Sequence, residues 1–237
     1  MITVVDPDAA RMALAAGRLA CPEPDCEGRL RVWSRARARQ VRKLGGQLVR
    51  LRPDRARCVA CGVTHVLLPA WCLPRRGYGV EVVGAALLAA ADGAGHRTVA
   101  AGLAVPQGTV RGWLRGLRAG AAALTAQAVS ITEAAGASLF AGCAPQPWAG
   151  RALPEAVNAL AVAARAFTLD LARPRTPRPG GSATGIDYLA LIAERHRLWV
   201  HRRLRLLDPT GAIATLAGWP LITVITGGLL LNMAPAG

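Results

Sequence analysis

Apolar positions along this chain change their period, and each change marks a different kind of element. The opening "MITVV" is a short apolar run that predicts a strand from Ile2 to Val5. Asp6 then offers a capping oxygen and Pro7 a first helical position that needs no N–H, so a helix is expected to about residue 18. From 19 to 72 the runs shorten and alternate, as in "RLRVW" and "QLVRL", which is β-hairpin material.

From Gly79 the period becomes helical. "VEVVGAALLAAADGAG" reads as a helix closed by glycines, and "RTVAAGLAVPQGTVRGWLRGLRAG" as two more. "AAALTAQAVSITEAAGASL" carries apolar positions three and four apart to about Ala137, and another helix is expected from about Pro154 to Leu171. "ARPRTPRPGGSATG" has the composition of an exposed linker. "IDYLALIAERHRLWVHRRLRLL" then reads as a basic amphipathic helix, and the chain carries no charge after Asp208. The expected fold class is α+β, mostly α. A ribbon occupies 1–75, a helix-turn-helix unit 79–120, a helical extension 121–172, a linker 173–186, and a C-terminal helix with an apolar tail 187–237.

Charge narrows the function. Twenty-nine basic residues face 14 acidic ones in 237 residues, a net +15, and Lys43 is the only lysine. Abundant Arg, Ala and Gly partly reflect a GC-rich genome, but the acids are not raised to match. Such a surplus favours an anionic partner, nucleic acid ahead of a membrane surface. The N-terminus lacks the basic start and long apolar core of a secretory signal, which points to a reducing cytoplasm. There, clustered cysteines bind metal or do chemistry more often than they form disulfides.

Two cysteine pairs stand out: Cys21 and Cys26 in "LACPEPDCEGRL", and Cys58 and Cys61 in "RCVACGVTHVLLPAW". Zn²⁺ takes four ligands in a tetrahedron, and a pair two to four residues apart spans two corners from one turn. Gly62 suits such a turn, and the 31 residues between the pairs suffice for a hairpin that brings the turns together. These four thiols are the expected ligands of a closed, structural zinc ribbon. His65 or Cys72 could replace one of them, although each reads more simply as a buried side chain; Cys143 reads as a small buried residue.

Between Ser34 and Cys58 lie Arg35, Arg37, Arg39, Arg42, Lys43, Arg50, Arg52, Arg55 and Arg57, against one acid, Asp54. On a strand period several of them would line a phosphate-tracking face; the plain alternative is a solvated charged face. "TVAAGLAVPQGTVRGWL" fits a helix-turn-helix, with Val99, Leu103, Val105, Val110 and Trp113 as anchors and Ala100 at the crossing. Its turn holds Ala104 where glycine is usual, tolerable only if the positive φ is relaxed. Pro106 would open the second helix. Gln107, Gly108, Arg111, Gly112 and Arg115 would then face outward, Gln and Arg to pair with bases and the glycines to allow close approach. Thr109 and Arg97 are better placed for phosphates, and His96 for either a helix cap or a phosphate. An ordinary helical hairpin is the competing reading, and it leaves this acid-free face unexplained.

Together "CPEPDCEGRLRVW", "RCVACGVTHVLLPAWCLPRRGYGVEVVGAAL" and "GHRTVAAGLAVPQGTVRGWLRGL" resemble a family of uncharacterised zinc-ribbon/helix-turn-helix proteins of high-GC bacteria, known by a domain-of-unknown-function label. The layout is similar to the N-terminal DNA-binding parts of insertion-sequence transposases. The resemblance covers roughly residues 1 to 120. It implies double-stranded DNA as partner, Cys21, Cys26, Cys58 and Cys61 as metal ligands, and the helix from Gln107 as the reading helix.

No enzyme is expected. Beyond residue 120 the acids are Glu133, Glu155, Asp170, Asp187, Glu194 and Asp208, too scattered for the two-metal cluster of a nuclease. The expected role is that of a transposon-associated accessory or regulatory protein, acting beside a transposase or integrase or as a homodimer. A transcriptional repressor and a degenerate transposase are alternatives. Residues 212 to 231 are long enough to span a bilayer behind a basic flank, which would make a tail-anchored protein. Pro220, Gly227 and Gly228 favour a buried helix or strand instead.

Overall fold

The computed structural model describes residues 1–134 and 151–172, together with Pro220, Ile222 and Thr223. The expected linker, the basic helix after it, Cys143 and most of the apolar tail lie outside the described residues. Among the described residues no helix is long and apolar enough to cross a membrane.

The N-terminal strand and helix form where the capping residues place them. Strand β1 is Ile2–Val4 and helix α1 is Pro7–Ala15. Asp6 Oδ1 accepts from the N–H groups of Asp8 and Ala9 at 2.9 and 3.0 Å, satisfying donors that the first turn leaves over. Ala9, Ala10, Ala13 and Leu14 recur at helical spacing and make the buried face.

Five strands follow: β2 (Leu30–Arg35), β3 (Arg39–Arg42), β4 (Leu48–Leu51), β5 (Asp54–Cys58) and β6 (Thr64–Pro69). The sheet order is β1-β6-β5-β2, with β1 parallel to β6 and the other pairs antiparallel. β3 and β4 form a separate two-stranded sheet. Its turn holds Gly45 and Gly46 at φ of 78° and 85°, a left-handed pair that glycine occupies without strain. "RLRVW" and "QLVRL" are therefore both strands, yet not partners of each other. β2 pairs with β5, and the β3–β4 hairpin is nested between them. One face of the larger sheet packs Ile2, Val4, Leu30, Ala56 and Leu67 against α1. On the other, Leu68 meets Val41 of β3 and Cys72.

Helices α2 (Val80–Ala91), α3 (His96–Leu103), α4 (Gln107–Ala134) and α5 (Ala152–Ala172) share one core, including Leu87, Val99, Trp113, Leu117, Leu124 and Leu160. α4 runs unbroken through residue 120, where the sequence suggested a boundary. Gly120 is buried in that helix, so the glycine serves packing and does not stop it.

The α3–α4 turn corrects one expectation. Ala104 sits at φ 50°, ψ 44°, so the turn keeps its left-handed conformation and alanine tolerates it, at a cost of about 1 kcal/mol. α4 begins at Gln107, and the Pro106 carbonyl accepts from the N–H groups of Thr109 and Val110 at 2.9 and 3.2 Å. Gly95 precedes α3 as its cap, which leaves His96 as the first helical residue.

The two regions are fastened together. Arg42 N–H donates to Gly77 O and Gly79 N–H to Arg42 O, both at 2.8 Å, tying the end of β3 to the start of α2. Tyr78, between those glycines, sets its ring edge-on to Trp113 of α4 with centroids 5.1 Å apart.

Candidate functional site

Two turns face each other at one end of the larger sheet. In the first, Cys26 N–H donates to Glu23 O at 3.3 Å, and Cys21 N–H donates to Gly28 O at 2.8 Å. In the second, Cys58 closes β5, its N–H donates to Val63 O at 2.9 Å, and Gly62 takes φ 74°. The β2–β5 register sets Leu30 opposite Cys58 and so carries the two turns together.

The sulfurs of Cys21, Cys26, Cys58 and Cys61 all lie within 4.8 Å of one another. The shortest pairs run between the turns: Cys21 to Cys61 at 3.7 Å and Cys26 to Cys58 at 3.6 Å. A tetrahedral ion bonded to thiolates at about 2.3 Å separates its sulfurs by about 3.8 Å. The four side chains therefore fit a metal ion, and an all-sulfur donor set suits soft or borderline cations. Burial pushes the Cys21 thiol up to about 12. Burial also pushes Cys58 upward, but the backbone N–H groups of Cys61 and Ala60, together with hydrogen bonds from the Cys26 and Cys61 thiols, outweigh it and lower the thiol to about 6. Bare thiols thus sit unevenly in this enclosure.

Two residues around the quartet, Gly28 and Arg57, gain roles that composition did not reveal, and His65 takes its simpler reading as a buried side chain. A Cβ on Gly28 would lie 2.5 Å from Cys58 Sγ and 2.7 Å from Ala60 Cβ, so only glycine fits. Its one sequence signal was its place two residues after Cys26. Arg57, one of the nine basic residues, donates from Nε to Gly62 O at 3.1 Å and braces the second turn. His65 is buried with Nε2 3.9 Å from Cys21 Sγ, beside the quartet and outside the four-thiol set; burial lowers its pKa. Cys72 lies apart with Val41 and Leu68, and burial there pushes it up to about 12 against the pull of Arg39 and Lys43.

The basic residues of the hairpin do not share one solvated face. Arg35, Arg37, Arg50 and Arg52 are exposed, while Arg39, Arg42, Lys43, Arg55 and Arg57 are half-buried. Arg39 Nε and Nη2 are buried, its guanidinium lies against Cys72, and Lys43 Nζ sits 4.7 Å over the Trp71 ring. Asp54 draws Arg11 and Arg35 to itself at 2.8 and 3.5 Å.

The second candidate surface is the outer face of α4. Gln107, Gly108, Arg111, Gly112 and Arg115 are all exposed, and so is Arg118, which extends the stripe. Thr109 is half-buried and Arg97 is exposed on α3. The first turn of α4 has no acid. A Cβ on Gly108 or Gly112 would meet nothing within 4 Å, so no internal contact requires glycine at either place.

Residues 21–113 match the family model of a domain of unknown function, DUF6431. The match begins at the first cysteine of the quartet and ends at the buried Trp113, so it spans both turns, the nested hairpin and the start of α4. No curated protein and no solved structure matches the chain.

Proposed function

We propose that the chain binds double-stranded DNA, with Zn²⁺ in the Cys21–Cys26–Cys58–Cys61 site holding the ribbon and α4 entering the major groove. The observation that carries this reading is the α4 stripe. Each interior glycine costs a helix about 1 kcal/mol relative to alanine. Gly112 bears that cost with open space in front of it, and Gly108 in the first turn also faces open space, between arginines that suit guanine and a glutamine that suits adenine. A groove wall that must come close to the helix accounts for both features. Arg97 and Thr109 would take phosphates, and the exposed Arg35 and Arg37 would add charge from the ribbon, with Arg42 and Lys43 nearer the α2 junction and Arg39 largely enclosed.

On this reading the protein recognises a site and another chain, such as a transposase or integrase, does any chemistry. A repressor dimer would instead select a two-fold symmetric site with half-sites spaced by whole helical turns.

The test uses the full, zinc-loaded chain and labelled duplexes. Gly112→Ala should raise the melting temperature, by about 1 kcal/mol of added stability, and yet weaken duplex binding. Arg111→Ala should cost about 1–3 kcal/mol at one base position. Duplex affinity unchanged in both variants would overturn the assignment of α4 as the reading helix.

A further inference from the structure

Trp33 lies outside both surfaces. It sits on β2, the outer strand of the larger sheet, which pairs with β5 alone. The register slips there: Val32 stands opposite Ala56, and Ser34 opposite Arg55, leaving Trp33 as the extra residue of a β-bulge. A bulge re-aims the side chain it carries. The Trp33 side chain is left 46% exposed, with Arg57 Cζ 4.8 Å and Arg31 Cζ 5.8 Å from its ring centroid. Both distances are within cation–π range. Arg57 is itself held to the metal turn through Gly62, so one side of this group has a fixed anchor.

An exposed tryptophan on an edge strand is a liability for a fold that gains nothing from it. The flanking guanidiniums narrow what it could receive. A second copy of this edge would set Arg31, Arg35 and Arg57 against their own kind. A partner that offers both a flat π-face and negative charge satisfies the whole group, and an unpaired nucleotide does so. We propose that Trp33, Arg31 and Arg57 form a stacking platform for an unpaired base of single-stranded DNA, with the guanidiniums taking the adjoining phosphates. The inference rests on the nucleic-acid reading and deepens it. α4 takes paired DNA, and the ribbon takes a strand that has left its duplex, with little preference among bases because every base has a π-face.

The experiment measures binding of the full, zinc-loaded chain to a labelled oligodeoxythymidine, an abasic oligonucleotide of equal length, and a blunt duplex. Trp33→Ala should weaken oligodeoxythymidine binding about tenfold and leave the duplex within about twofold. Abasic binding should not change, since it offers phosphates without a base to stack. Trp33→Tyr should retain most of the affinity and Trp33→Leu should lose it; that pair decides the matter even if Trp33→Ala disturbs the edge strand. Equal oligodeoxythymidine binding by the wild type and Trp33→Leu would overturn the platform, as would parallel losses on oligonucleotide and duplex. Duplex binding that survives such a result would leave the α4 reading standing, whereas a wild type that binds neither DNA would overturn both.

Discussion

In the N-terminal region, the core between α1 and the sheet includes Cys21 and Cys58, so part of the apolar interior also belongs to the four-cysteine cluster that could hold a metal ion. Around them pack Ile2, Val4, Leu14, Leu19, Leu30 and Leu67. In the helical unit the core runs from Val80 and Leu87 through Trp113, Leu117 and Leu124 to Leu160, with no ligand among them. On the proposed zinc reading a bound ion cross-links the first region's interior, whereas the second is held by burial. Because the Arg42 backbone joins the two through Gly77 and Gly79, loss of the N-terminal region's structure should loosen the start of α2 without melting the helices.

The largest expected effect is on the metal side of this contrast. Cys58→Ser, or removal of the ion by a chelator, should unfold the ribbon, since structural zinc sites contribute about 10–16 kcal/mol to small domains. Hydrogen exchange should then rise across residues 1–75 while α4 stays protected, and metal analysis should show the ion gone. Uniform loss of protection in both regions would break the comparison.

Leu117→Ala probes the other side. Leu117 is fully buried, and its truncation should cost about 2–5 kcal/mol in the helical unit while zinc content holds. Thermal unfolding with metal analysis checks both halves of that expectation. A smaller effect is expected from Gly28→Ala, where the added methyl presses on Cys58 Sγ. About 1–3 kcal/mol should be lost, read as weaker metal retention in competition with a chelator. Smallest is Ala104→Gly. It relieves the left-handed turn and should stabilise the helical unit by about 1 kcal/mol, raising its melting temperature with metal affinity unchanged.

The cysteine quartet was legible because its signal is local spacing, and the helices because their apolar period extends over many residues. What could not be read depends on contacts distant in sequence. β1 finds β6 across more than sixty residues, Gly28 is required by a sulfur thirty residues away, and the pairing of β2 with β5, which carries the cysteine turns together, skips the nested hairpin. Arg39 looked like any exposed arginine until β3 was folded against Cys72. The α4 stripe was legible in the residues from Gln107 to Arg115, but composition could not show that Gly108 and Gly112 face open space.

The most direct test of the central claim is selection of duplexes from a random library by the zinc-loaded full chain at near-physiological salt, repeated with Arg111→Ala. The account predicts an enriched motif that loses its preference at one position in the variant. Salt-sensitive binding without an enriched motif would contradict it, and would reduce the +15 surplus to a general hold on phosphate.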